Sequence, residues 1–293
     1  MRCLLLLILA ALLTAPAHAA DLLIIQSHRS QQFDQTVRQI QTNCGKKSQT
    51  YVMGDYAEFD LGRIVREERP RLVVAVGDKP LKEAQKLRTP PVLYTMALNA
   101  EEKGARKNVS GVSMHASPET YLKLFRKLGL QRVGVVYHKG KSGTYLARAE
   151  KIAADYGVTL MPAQIKTPQE VDAALNRLVS SDIDSIWMIP DTTAVTAESL
   201  DLYFLAAQKA NIPLISFSRA YLEKGALAVL EASRTKMTEQ LCSSITQLLS
   251  GVDPEVLPAA DIAEANLYTN DFIARRLNFT FSGTDKLFRS SQD

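Results

Sequence analysis

The chain has 293 residues, of which 46% are hydrophobic and 23% charged, a composition that excludes intrinsic disorder. Its length fits two α/β lobes of roughly 100 to 150 residues each. The formal net charge is +4 at pH 7, with basic and acidic residues mixed along the chain. This balance excludes a strongly basic nucleic-acid-binding protein, and we expect no nucleic-acid partner.

The N-terminus has the pattern of a secretory signal peptide. Arg2 provides the positive charge, Leu4 to Leu13 form an apolar core, and Ala17-His18-Ala19 forms a cleavage site before Ala20. The alternative, a retained anchor, is disfavoured because the apolar run is too short to span a bilayer. We therefore assign residues 1–19 to a signal peptide and expect the mature protein to be exported.

The first half of the mature chain alternates strands with helices. The segment Leu72-Val73-Val74-Ala75-Val76 is continuously apolar and β-branched, as in a parallel strand buried on both faces. Pro70 ends the helix before it. The predicted strands are 22–26, 49–53, 72–76 and 92–96, and the predicted helices are 32–42, 57–68 and 80–87.

The second half repeats this order after a short stretch of small residues at 108–113, where we expect the chain to cross to a second lobe. Ser117 and Pro118 begin a helix to about Leu128. The predicted strands that follow are 132–137, 158–163, 186–189, 212–217 and 225–230, with a loop at 138–143 and helices at 144–156, 168–180 and 235–249.

This alternation predicts an α/β fold of two doubly wound parallel-sheet lobes joined by three crossing strands. We expect the strand at 225–230 to return to the first lobe and 258–262 to cross a third time. The first lobe would then comprise 20–110 plus 229–258, the second 111–228 plus 259–280, and a tail 281–293.

Two cysteines, Cys44 and Cys242, remain after removal of the signal peptide. In an oxidising compartment such a pair can form a disulfide. The two would meet if the first and last helices of the first lobe pack on the same face of its sheet. Because sequence cannot establish a bridging distance, two separate buried thiols remain the alternative.

In doubly wound sheets, ligands bind outside the carboxyl ends of the strands. A ligand carboxylate could accept hydrogen bonds from backbone N–H groups at the helix start after Gly77. Tyr94, Tyr137 and Phe217 are candidates for an aromatic wall. The candidate ligand-binding residues at these strand ends are Ser27, Gly77, Asp78, Lys79, Tyr94, Thr95, Tyr137, Ser142, Asp191, Thr192, Ser216 and Ser218.

Five motifs occur in an order typical of one family: Val109-Ser110-Gly111-Val112, Arg132 to Tyr137, Ile189-Pro190-Asp191-Thr192-Thr193, Asn211 to Leu214 with Ser216, and Lys224 to Ala228. From about Leu22 to Phe279 the chain resembles the periplasmic substrate-binding proteins of ABC transporters with the type I fold, in the branch that includes tryptophan or aromatic amino-acid binders.

This resemblance implies a monomeric periplasmic protein whose two lobes, joined by three strands, close on a small ligand. Its partner would be an ABC transporter permease in the inner membrane. By the family pattern, Asp191 would receive a ligand ammonium, although it can also cap the following helix. The chain departs from that pattern at Asp78-Lys79-Pro80, at His138 to Ser142, and at Leu230 to Arg234, which replaces a glycine-rich, tyrosine-containing stretch.

Three patterns that would indicate other chemistry are incomplete. Five residues separate Gly134 from Gly140, whereas a P-loop needs four. The stretch Gly111 to His115 lacks the final glycine of a nucleophile elbow. The histidines show no metal-ligand spacing.

We therefore expect neither an enzyme nor a cofactor nor a metal site. The sequence predicts a protein that captures a small organic ligand, amino-acid-like or another small carboxylate, and delivers it to a permease by hinge closure. The alternative is a periplasmic ligand-sensing or adaptor module of the same fold that acts on a membrane partner.

Overall fold

The computed structural model describes residues 20–98, 107–257, 259–262, 264–283 and 289–290. The predicted signal peptide, residues 1–19, lies outside the described residues, as do 284–288 and 291–293 of the predicted tail. Within the described ranges, no helix is both long enough and apolar enough to cross a membrane.

The described strands are numbered in chain order. They are β1 Leu22–Gln26, β2 Ser48–Val52, β3 Leu72–Val76, β4 Val92–Thr95, β5 Val109–Ala116, β6 Arg132–His138, β7 Thr159–Ile165, β8 Ser185–Trp187, β9 Leu214–Ser216, β10 Ala228–Ala232, β11 Ala260–Ile262, β12 Ala265–Thr269 and β13 Arg289–Ser290.

The described α-helices are numbered in the same way. They are α1 Gln31–Asn43, α2 Leu61–Glu68, α3 Asp78–Ala84, α4 Pro118–Leu128, α5 Lys139–Ala153, α6 Val171–Ser180, α7 Leu200–Ala210, α8 Arg234–Leu249 and α9 Asp271–Leu277.

The first sheet is parallel, with strand order β11-β5-β4-β3-β1-β2. Its strands β1 and β3 are buried along their whole length, as the apolar sequences of β3 and of β1 up to Gln26 predict. One face packs on α1 and α8 and the other on α2 and α3. This sheet is therefore covered on both faces, as expected of a doubly wound lobe.

The second sheet has the order β13-β12-β10-β9-β8-β6-β7 and is parallel except where β10 pairs with β12. Trp187 on β8 is fully buried, with its ring 4.9 Å from Tyr121 and 5.5 Å from Phe125, measured between centroids. The tryptophan is thus part of the core, and the predicted two-lobed α/β fold with parallel sheets is confirmed.

The crossings lie later in the chain than expected. Strand β5 runs to Ala116 within the first sheet, paired with β4 and β11, so the first crossing follows Ala116 instead of lying at 108–113. Strand β10 pairs with β9 and β12 in the second sheet, not in the first lobe, and β11 belongs to the first sheet. The chain crosses three times, after β5, β10 and β11.

Helix α5 also begins earlier than expected. The predicted loop 138–143 is instead the first turn of this helix. The side chain of His138 caps it, with Nδ1 accepting a hydrogen bond from the N–H of Gly140 at 3.2 Å. As a result Ser142 lies on a helix and faces its buried side.

Of the two alternatives for the cysteines, the structure has the disulfide. Cys44 ends α1 and Cys242 lies within α8, with 4.8 Å between their Cα atoms. Both helices pack on the same face of the first sheet. The bond therefore joins the last helix of the first lobe to its first helix, and strands β6 to β10 of the second sheet lie between the two cysteines in sequence.

Candidate ligand-binding cleft

A cleft lies between the two lobes at the carboxyl ends of their strands, and it contains two cavities. The larger, here called the main cavity, has a volume of about 200 Å³. The smaller, here called the side cavity, has about 30 Å³. Leu98 and His115 line both cavities, so the two are neighbouring parts of one site.

The main cavity draws its walls from both lobes and from two of the crossings. Its apolar wall comprises Met96, Leu98, Met114, Ala116, Phe217, Leu230, Ala232 and Met237. Its polar groups are Gln32, Gln35, Thr36 and Gln39 on α1, together with His115, Ser218, Glu231 and Arg234. An apolar wall with a few polar groups is the usual composition of a small-molecule site.

The side cavity lies between β4 of the first lobe and α5 of the second. It is lined by Tyr94, Ala97, Leu98, Ser113, His115, Lys141, Ser142, Tyr145, Arg148, Pro190 and Asp261. The ring of Tyr94 lies against Gly111, where an added Cβ would be 2.2 Å from the ring. Gly111 therefore sets the depth at which Tyr94 can pack into the cleft.

His115 lines both cavities and is held in its neutral form. Burial, and to a lesser extent the positive charge of Arg148, lowers the pKa of His115 to about 4 from its ordinary value of 6.5. The guanidinium of Arg148 pairs with Asp261 at 2.7 Å. At neutral pH the imidazole therefore presents one donor and one acceptor nitrogen in the cleft.

Asp191 is buried and its carboxylate is fully used by the protein. Oδ2 accepts hydrogen bonds from the His138 N–H at 2.7 Å and from the Ser142 hydroxyl. Oδ1 accepts from the N–H groups of Thr193 at 2.8 Å and Ala194 at 2.9 Å. These four bonds fill the lone pairs of a carboxylate, so the geometry favours the capping role of Asp191 over an ammonium-binding role.

The predicted site residues divide into two groups. Tyr94, Ser142 and Ser218 line the cleft cavities. The other nine predicted residues are not among the described residues that line either cavity. They are Ser27, Gly77, Asp78, Lys79, Thr95, Tyr137, Asp191, Thr192 and Ser216. Ser27, Thr95 and Ser216 are buried behind the strand ends.

The helix start after Gly77, predicted to bind a ligand carboxylate, lines neither cavity. Helix α3 has only seven residues, which limits its dipole. The N–H of Gly77 already donates to the Thr95 carbonyl at 2.9 Å. Tyr137 also lines neither cavity. Its hydroxyl instead donates a hydrogen bond to Oε1 of Gln164 at 3.4 Å.

Several cleft residues were not predicted from the sequence, notably Met96, Met114, His115, Glu231 and Arg234. Each follows a buried strand or lies at a crossing. The signal that could have found His115 and Glu231 is a polar residue at the end of an apolar strand, but its use required the correct sheet for β5 and β10. Among the described residues, no group of three or more potential metal-ligating side chains occurs.

Solved structures with the same fold span nearly the whole chain. A conserved domain protein from Vibrio cholerae has 20% identity and a TM-score of 0.62, covering 94% of this chain and 100% of its own. An ABC domain in complex with L-Trp from Streptococcus pneumoniae has 20% identity and a TM-score of 0.60, covering 90% and 96%.

A ligand-free, open substrate-binding protein with adhesive properties from Clostridium difficile has 20% identity and a TM-score of 0.64, covering 91% of this chain and 97% of its own. A search of curated proteins found no match. At these identities the structures establish the fold alone.

The sequence itself provides the family. Residues 60–288 match the model of the ABC transporter substrate-binding proteins, a span that includes four of the six strands of the first sheet and every cleft residue except those on α1. Proteins of this family bind substrates and in general carry out no chemistry on them, and they are typically periplasmic or extracellular. The chain belongs to the ABC transporter substrate-binding protein family and has the type I periplasmic binding fold.

Proposed function

We propose that this protein captures a small organic ligand, amino-acid-like or another small carboxylate, in the interlobe cleft and delivers it to an ABC permease in the inner membrane. The observation that supports this most is the main cavity, which combines apolar and polar side chains from both lobes. A ligand that contacts both lobes stabilises their closed arrangement, which a permease can distinguish from the open one.

Export is part of the proposal. The pattern Ala17-His18-Ala19 after an apolar core predicts cleavage before Ala20, and the Cys44–Cys242 disulfide is consistent with an oxidising compartment. Mass spectrometry of protein recovered from the periplasmic fraction should give a chain that starts at Ala20. A chain that starts at Met1 and stays with the membranes would contradict export by signal-peptide cleavage.

Ligand capture is tested by a thermal-shift screen of the mature protein against amino acids, small carboxylates, nucleosides and sugars. A ligand at 100 times its dissociation constant adds about 2.7 kcal/mol to the free energy of unfolding. The substitution Ala232→Phe places a ring in the main cavity and should abolish the shift. Ala147→Phe, on the exposed side of α5, is the matched control and should keep it.

The outcomes separate the proposed site from the proposed function. A shift that survives Ala232→Phe would place the ligand outside the main cavity. A flat screen would contradict solute capture and favour a module that acts on a membrane partner. Delivery is tested by uptake of the labelled ligand, which should fall in cells that lack the protein and return when it is supplied.

A further inference from the structure

Glu231 places a carboxylate at the wall of the main cavity. It is the fourth residue of β10, where its backbone pairs with Asn266 of β12, and its side chain is half-buried. Its negative charge adds to burial in raising the pKa of the Tyr121 hydroxyl. Among the described residues, none forms a hydrogen bond or an ion pair with the Glu231 side chain.

The described cations nearest in sequence to Glu231 and the arginine of the side cavity bond to groups other than its carboxylate. The guanidinium of Arg234 donates to Oε1 of Gln35 at 3.1 Å, and Lys236 pairs with Glu239 at 2.8 Å. Arg148 pairs with Asp261 on the far side of His115. The half-buried carboxylate of Glu231 therefore keeps its acceptor positions open toward the cavity. A cation that entered the main cavity would therefore find an unpaired partner already in place.

The other walls of the main cavity limit the size and polarity of the part of the ligand that they contact. Met96, Met114 and Met237 offer flexible, polarizable walls that adapt to an apolar group, and Phe217 adds an aromatic ring. A closed cavity of about 150 Å³ holds a benzene-sized molecule. The volume of about 200 Å³ therefore suits one aromatic ring or one branched alkyl group with a small polar head.

We propose that Glu231 receives the ammonium group of a small primary-amine ligand whose apolar body packs against the methionines and Phe217. This inference rests on the proposed function and specifies the substrate class of the same cleft. It assigns to Glu231 the role that the family pattern would give to Asp191, whose carboxylate is saturated by four internal hydrogen bonds.

Isothermal titration calorimetry of the mature protein tests this with three matched probe series. The first contains amino acids with apolar side chains, the second contains the amines that lack the carboxylate, and the third contains the carboxylic acids that lack the amine. We expect binding in a series that carries an amine, with little or none among the acids.

The variant Glu231→Gln keeps the size of the side chain and removes its charge. It should weaken binding of the amine probes at least about tenfold, because a hydrogen bond between charged groups is lost. Glu231→Asp, which keeps the charge, should recover part of the affinity. Glu239→Gln changes an exposed glutamate on α8 and should leave binding unchanged.

Two results would overturn the inference in distinguishable ways. If the acids bind and Glu231→Gln has no effect, Glu231 is not the ammonium acceptor, while solute capture stands. If no probe of any series binds the folded protein, the proposed function fails for this ligand class and the inference fails with it. Circular dichroism of each variant shows whether a lost signal reflects lost folding.

Discussion

At the residue scale, Asp191 and Glu231 are two carboxylates near one cleft with different surroundings. Asp191 is 5% exposed and accepts hydrogen bonds from three backbone N–H groups and one hydroxyl. These bonds tie β6 and the start of α5 to the loop after β8. The carboxylate therefore fixes the shape of the second lobe's rim without needing to touch a ligand.

We expect Asp191→Asn to lower the free energy of unfolding by about 2 to 4 kcal/mol, because its amide nitrogen would face donors that then lose their acceptor. Urea denaturation measures this. The control Asp201→Asn removes an exposed partner of Lys224 and should cost less than about 1 kcal/mol. If the variant keeps its stability but loses ligand affinity, Asp191 is a ligand-binding residue and the capping role is not its main one.

Gly111 allows the ring of Tyr94 to lie directly on the β5 backbone. An alanine Cβ there would stand 2.2 Å from the ring, so Tyr94 would have to move. We expect Gly111→Ala to cost about 1 to 3 kcal/mol. In a Tyr94→Ala background the same change should cost at least about 1 kcal/mol less. Additive costs in the double variant would show that the two residues are not coupled.

Two of the three predicted residues that line the cleft lie near the end of a recognisable strand, and the third, Ser142, lies on α5. Tyr94 and Ser218 reach the cleft because β4 and β9 end beside them. His115 was passed over because the chain was expected to have left the first sheet before reaching it. Its place depends on β5 pairing with both β4 and β11, and β11 lies more than 140 residues further along the chain.

At the element scale, local pattern was sufficient where burial is complete on both faces. Strand β3 is uniformly apolar and β1 is apolar up to Gln26, and both were predicted with the observed bounds. Strand β10 was not placed correctly, because its sheet is decided by pairing with β9 and with the antiparallel β12. The start of α5 was missed because Gly140 and Gly143 disfavour a helix, whereas the His138 cap and the Ser142 bond to Asp191 stabilise it.

Helices α1 and α8 are joined by the Cys44–Cys242 disulfide, which closes a loop of 198 residues in sequence separation. Because so long a loop restricts the unfolded chain strongly, we expect Cys44→Ser/Cys242→Ser to lower the free energy of unfolding by about 2 to 5 kcal/mol. Reductant should destabilise the wild type by a similar amount and leave the double variant unchanged. A reductant effect of equal size in both proteins would show that the disulfide is not responsible.

At the scale of the whole molecule, the lobes meet at the cleft through contacts beside the crossings. Arg148 on α5, in the second lobe, pairs with Asp261 on β11 of the first sheet. The hydroxyl of Tyr145, also on α5, donates to the carbonyl of Ala116 at 2.7 Å. His115 lies beside this group, 6.3 Å from Tyr145 between ring centroids. We therefore expect a charge on this imidazole to disturb the contacts between the two lobes.

Acid should weaken the folded protein through His115. Its pKa is lowered to about 4 in the folded state, from 6.5. Between these values the unfolded chain binds a proton that the folded protein excludes, so the free energy of unfolding falls as the pH drops.

From pH 7 to 4.5 we expect the wild type to lose about 2 kcal/mol more than His115→Gln, because other titrating groups are common to both proteins and cancel. Urea denaturation at the two pH values measures the free energy of unfolding of each protein. Only the change between the two pH values is compared, so a loss of stability that the substitution causes equally at both does not affect the result. The Arg148 guanidinium repels a protonated His115 and acts in the same direction, whereas Asp261 opposes it. Equal losses in the two proteins would mean that water or a shift of the lobes accommodates the charged imidazole, and that His115 does not make the stability of the protein depend on pH.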